Sequence, residues 1–157
     1  DPINGRARYR IKAVNAQRQS EWSDLLTIGR SETHSLPGKI QAEAYFSAPN
    51  SVIAASVSEP TGDRGYLRFS DSTAEYQISA DSNASYQITL RVFSNGQDQP
   101  LEIWLGNELL VSLTSTGERG WQSITKSGVY LAKGRHLLSV RSKAANFSIN
   151  WMKFEMI

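Results

Sequence analysis

A chain of 157 residues with 39% hydrophobic and 20% charged side chains holds enough apolar material for one well-cored domain plus an appendage, which excludes an intrinsically disordered chain. Its formal net charge is +2, with acids and bases mixed along the length, too weak a balance to imply a nucleic-acid or anionic-membrane partner. No apolar run is long enough to span a bilayer, and the absence of cysteine removes disulfides, thiolate metal sites and cysteine nucleophiles.

In chain order, residues 7–13 alternate Tyr9, Ile11 and Ala13 with Arg8, Arg10 and Lys12, the period of a half-buried strand. A polar turn over 15–20 follows, then Trp22 and a second short strand ending near Ile28. Two strands make no stable core by themselves. Residues 30–38 are polar, contain Pro37 and Gly38, and read as a linker. From Lys39 onward short alternating stretches recur with turn residues between them. Tyr86, Ile88, Leu90 and Val92 alternate with Gln87, Thr89, Arg91 and Phe93, and a turn at Asn95-Gly96 follows. Leu101, Ile103 and Leu105 alternate with Glu102 and Trp104 before a turn at Gly106-Asn107. Further strands are expected over 109–113, 128–131, 136–141 and 147–156, with a Lys133-Gly134 turn and an irregular stretch over 43–48. Strands at roughly 8–12-residue spacing, with no sustained helical period, predict an all-β protein: a β-sandwich or jelly roll of two antiparallel sheets.

Two stretches resemble known families. Residues 9–28, with Tyr-x-Ile-x-Ala-Val-Asn and Ser-x-Trp-Ser, resemble the last strands of a fibronectin type III domain. Residues 1–29 are thus either the tail of such a domain or an extra hairpin on the main one. Residues 39–157 resemble a family 6 carbohydrate-binding module. The matching words are Ile40-Gln41-Ala42-Glu43-Ala44-Tyr45, Ala74-Glu75-Tyr76-Gln77-Ile78 and Gly120-Trp121. The 131–138 turn around Gly134 and His136, and the last strand from Asn150 to Met156, complete the order. The resemblance implies a non-catalytic jelly-roll module, monomeric, extracellular and fused to a secreted glycoside hydrolase, that binds a polysaccharide. Agar-type galactan is the expected ligand, since the sequence resembles agarase-appended members slightly more than xylan-binding ones; xylan or β-glucan binding, or a structural or adhesive spacer without a working sugar site, are the alternatives.

A pyranose has polar edges and two faces of C–H bonds, so a protein holds it with flat aromatic rings and hydrogen-bonding edges. The resemblance places the family's slot tryptophan at Trp121, in a polar glycine-bearing loop that favours exposure. It places the asparagine at the base at Asn150, with Asn146 as a rim candidate. The opposing aromatic is Tyr66 by its Gly-Tyr pair or Phe69 by its distance to Tyr76. Trp104, Glu102 and Phe93 lie opposite the apolar positions of their strands and form a possible second site; burial against the N-terminal hairpin is the bland reading. Gln41 and Glu43 match the family's structural calcium ligands, while the carboxylate expected from the last strand is replaced by Met152. A calcium ion needs about 6–8 oxygens, so any bound calcium is expected to be weak and structural. No catalytic residue is expected: His34 falls in the linker and His136 in a turn word, and Asp63, Asp71, Glu75, Glu102 and Glu118 show no spacing that marks out a glycosidase pair.

Overall fold

The computed structural model describes residues 7–9, 12, 14, 20, 26–28, 32–48, 52–55, 65–96 and 100–157. Within these, the regular structure is all strand. β1 (Ala7–Tyr9) and β2 (Leu26–Ile28) pair antiparallel as a two-stranded sheet of their own, where the sequence predicts strands. Trp22 and most of the intervening turn lie outside the described residues.

The remaining strands are β3 (Thr33–Leu36), β4 (Gly38–Gln41), β5 (Val52–Ala55), β6 (Gly65–Ala80), β7 (Ala84–Asn95), β8 (Pro100–Leu105), β9 (Glu108–Thr114), β10 (Arg119–Leu131) and β11 (Gly134–Met156). They form a sandwich of two mostly antiparallel layers, tied together because β6 and β11 run through both. The first half of β11 pairs with the second half of β6 and with β8, which in turn pairs with β9. β3 adds to β6 in parallel. The second half of β11 pairs with β7 and β4, and β7 with β10, while the start of β6 pairs with β5 and the middle of β11.

Alternation builds the core. Tyr86, Ile88, Leu90 and Val92 of β7 are all fully buried in one cluster with their strand neighbours Ile149 and Met152 and with Leu101, Ile103, Leu138 and Val140 of the other layer. Each such side chain contributes about 1.5–3 kcal/mol by leaving water. The long strands survive their passage between layers through local register shifts. In β6 the buried positions are Leu67 and Phe69 before Asp71, but Ala74, Tyr76 and Ile78 after it. The inward parity flips at Asp71, whose φ of 46° is a left-handed conformation that aspartate tolerates better than most residues. β11 shifts register between Ser142 and Ala145, between Ala145 and Phe147, and again between Ile149 and Trp151, leaving Asn150 at the last irregularity.

Two expectations are corrected. Residues 30–38 are not simply a linker. Thr33–Leu36 form an edge strand, Leu36 is fully buried, and Gly38 opens β4. Of the strand's polar residues Ser35 is exposed, whereas His34 is part-buried and packs near Tyr76 with ring centroids 6.4 Å apart. Separate strands expected over 136–141 and 147–156 are one bent strand, because bulges rather than a turn absorb the change of direction.

Candidate functional site

At one end of the second layer three aromatic rings meet on the face turned away from the core. Register pairs Trp121 of β10 with Phe93 of β7, Phe93 with Ser148 of β11, and Ser148 with Arg68 of β6, so these four stand in one row. Their neighbours Val92, Ile149 and Leu67 are fully buried, which fixes the row's outward direction. Tyr66 lies two residues before Arg68 and therefore on the same face.

Trp121 is the hinge of the cluster. Its ring centroid lies 5.5 Å from that of Phe93 and 6.0 Å from that of Tyr66, with an interplanar angle of 72° in both cases. Edge-to-face contact at this range is the arrangement that the ring quadrupoles favour. Tyr66 and Trp121 thus make an L-shaped corner rather than two parallel jaws. A sugar can stack on one ring and meet the other as a wall. The Tyr66 hydroxyl accepts a hydrogen bond from Arg68 Nη2 at 3.4 Å, which brings a cationic donor to the rim.

The loop before Trp121 is held by a residue that sequence reasoning missed. Gln122 Oε1 accepts from Thr116 N at 2.9 Å and from Thr116 Oγ1 at 2.8 Å, while its Nε2 donates to Thr116 O and Glu118 O, each at 3.3 Å. One amide therefore ties together the turn that delivers Trp121. The available signal was a glutamine next to the tryptophan, at a position whose partner Val92 faces inward. Arg68 was also missed, since only strand register puts it in one row with Phe93 and Trp121.

Asn150 is fully buried at the β11 bulge, where its Nδ2 donates to Gly65 O at 2.6 Å and its backbone oxygen accepts from Ala42 N at 3.0 Å. It anchors the start of β6 directly beside Tyr66. The side chain of Asn146 lies outside the described residues. Phe69 is corrected: it is fully buried and packs on Phe147 with ring centroids 6.5 Å apart, so it offers no surface to a ligand. The parity flip at Asp71 puts Phe69 on the inner side and Tyr66 on the outer.

The second site is also corrected, because its aromatics are separate. Phe93 belongs to the Trp121 corner. Trp104 lies on β8 of the other layer, where its Nε1 donates to Glu102 Oε2 at 2.9 Å and Arg141 stacks over its ring at 4.6 Å. The Arg141 guanidinium already covers one face of that indole.

At the calcium position, the Glu43 carboxylate packs against Gly65 so closely that a Cβ there would collide with it. Glu43 Oε2 is buried without a hydrogen-bond partner, an arrangement that a cation would satisfy, and Gln41 Oε1 is buried nearby in sequence. Met152 points into the core and supplies nothing. One carboxylate and neutral oxygens therefore fit a low-charge cation site. The described residues contain no cluster of three or more His, Asp or Glu side chains suited to a metal. His34 Nε2 donates to Ala44 O and His136 Nε2 to Ala132 O, both at 2.8 Å, so each histidine has a backbone partner. Asp63 lies outside the described residues.

No family model and no curated protein matches the sequence. Solved structures do match in fold. A family 6 carbohydrate-binding module from a Cellvibrio mixtus lichenase, solved with cellotriose, superposes with a TM-score of 0.67 at 20% identity, covering 77% of this chain and 98% of that one. A β-1,3-glucan-binding family 6 module from Bacillus halodurans gives 0.65 at 23% identity, covering 79% and 99%. The C-terminal family 6 module of a marine laminarinase from Zobellia galactanivorans gives 0.64 at 22%, covering 74% and 96%. The chain therefore has the fold of these modules.

Proposed function

We propose that this chain is a non-catalytic polysaccharide-binding module. The observation that carries the reading is the outward-facing corner of Trp121, Phe93 and Tyr66, with the hydrogen-bonding guanidinium of Arg68 beside it. Stacking on an indole removes the C–H face of a pyranose from water, while the rim addresses its hydroxyls. Asn150 acts chiefly by holding the Tyr66 strand in place. The fold neighbours that carry cellotriose or bind β-1,3-glucan support a sugar ligand and make β-glucan the principal alternative. Agar-type galactan is the first choice on the sequence resemblance, and xylan the third.

In this reading the module is extracellular, monomeric and fused to a glycoside hydrolase, which it keeps near an insoluble substrate by raising effective concentration. Residues 1–29 then belong to a neighbouring fibronectin-like spacer, and Gln41 and Glu43 hold a weak structural calcium ion. Affinity electrophoresis through gels containing agar, xylan, laminarin or cellulose tests the function. Retardation by at least one polysaccharide is expected. Unchanged mobility in all four, with the protein folded, overturns the proposal in favour of a structural spacer.

A further inference from the structure

At the opposite end of β10 the edges of the two layers part around a cavity of about 370 Å³. Its walls come from β9 and the end of β10, with Glu108 and Leu109 on one side and Lys126, Gly128 and Tyr130 on the other. The size lies within the range of small-molecule sites. Tyr130 is 60% exposed and Leu109 45%, so the cavity combines an accessible aromatic side chain with an apolar neighbour. β10 carries a register shift between Lys126 and Val129, and Gly128 there has a φ of 76°. Bulges of this kind re-aim side chains and recur beside binding sites.

The polar complement is mixed rather than of one sign. Lys126 contributes an ammonium, Glu108 a carboxylate, and neither has an ion-pair partner among the described residues. His136 also lines the cavity; because its Nε2 donates to Ala132 O at 2.8 Å, its Nδ1 is left as an acceptor. Donors and acceptors around an aromatic and an aliphatic side chain suit a ring with hydroxyl edges and C–H faces. They suit neither a polyanion, which would call for a uniform positive wall, nor a purely apolar guest.

We infer that this cavity is a second sugar-binding site, taking a pyranose unit against Tyr130 with Lys126, Glu108 and His136 on its hydroxyls. It draws its ligand class from its own chemistry and is independent of the Trp121 corner. Tyr130 lies nine positions after Trp121 along β10, roughly 25–30 Å at the rise of a strand. Two sites so far apart engage two chains, or two distant stretches of one chain, and the module becomes bivalent.

Trp121→Ala isolates the second site. Amide NMR shifts of that variant, titrated with agaro-, xylo-, laminari- and cello-oligosaccharides, are expected to move in 108–110 and 126–130 with at least one of them. Adding Tyr130→Ala should weaken that response about tenfold or more, whereas Tyr130→Phe retains it. If the Trp121→Ala protein shows no shift in these segments with any of the four, the inference is wrong, and the wild-type response around Trp121 reports separately on the first site. Equal shifts with and without Tyr130→Ala also overturn it.

Discussion

Trp121, Tyr66 and Phe69 carry the same kind of chemistry to different ends, and substitution separates them. Tyr66→Ala removes one wall of the corner and should cost about 2 kcal/mol of sugar binding while leaving the melting temperature nearly unchanged. Phe69→Ala leaves a hole beside Phe147 and should cost about 3–5 kcal/mol of stability, with affinity preserved in the fraction that folds. Calorimetric titration beside thermal unfolding distinguishes the two, and the reverse pattern would move the platform to Phe69. Tyr86 supplies a second test. Its hydroxyl is buried without a hydrogen-bond partner, and burial, with the Asp81 carboxylate adding to it, pushes the phenol above its usual range. The folded state thus resists ionisation, so this stability term is intact below the unfolded value near pH 10 and is lost as pH rises through the higher folded value. Tyr86→Phe should raise stability by about 1 kcal/mol at neutral pH and soften the alkaline decline, measured by denaturant unfolding at both pH values.

At the scale of elements, the loop that presents Trp121 depends on one amide. Gln122→Ala frees the turn at 116–118 and should weaken sugar binding about tenfold, roughly 1.4 kcal/mol, with a smaller loss of stability. Gln122→Glu keeps the acceptor for Thr116 but loses the donor to the two carbonyls, so an intermediate affinity is expected. These bonds join residues four and six apart, and the one signal for them in the sequence is a glutamine at a position next to the tryptophan. What was legible follows alternation: β7, β8 and β9 lie where their period of two puts them, because each buries one face only. The illegible parts are the places where alternation breaks. The left-handed Asp71 inverts the facing of β6, which decides between Tyr66 and Phe69, and no alternation pattern in the sequence marks it. Phe93 faced outward as expected. Its companion proved to be Trp121 rather than Trp104, because pairing between distant strands decides which outward residues meet.

For the whole molecule, the double passage of β6 and β11 makes the site and the core parts of one framework. Asn150 joins β11 to Gly65, and Glu43 lies against the same glycine, so the proposed calcium position sits under the strand that carries Tyr66. With Met152 turned into the core, such a cation would meet little negative charge and bind weakly. A chelator should therefore lower the melting temperature only slightly, by mass action, and leave sugar affinity intact. Glycan titration with and without chelator checks this, and loss of binding on chelation would mean that the cation organises the corner itself. The Trp121 corner is proposed to capture polysaccharide without catalysis. The most direct test is calorimetric titration of wild-type and Trp121→Ala protein with the polysaccharide that retards the wild type, beside their circular dichroism and an assay for released reducing ends. A folded variant with about 2–4 kcal/mol less binding free energy at the site, and no reducing ends from either protein, is expected. A folded Trp121→Ala protein that binds as tightly as wild type, with no weakened phase, would contradict it.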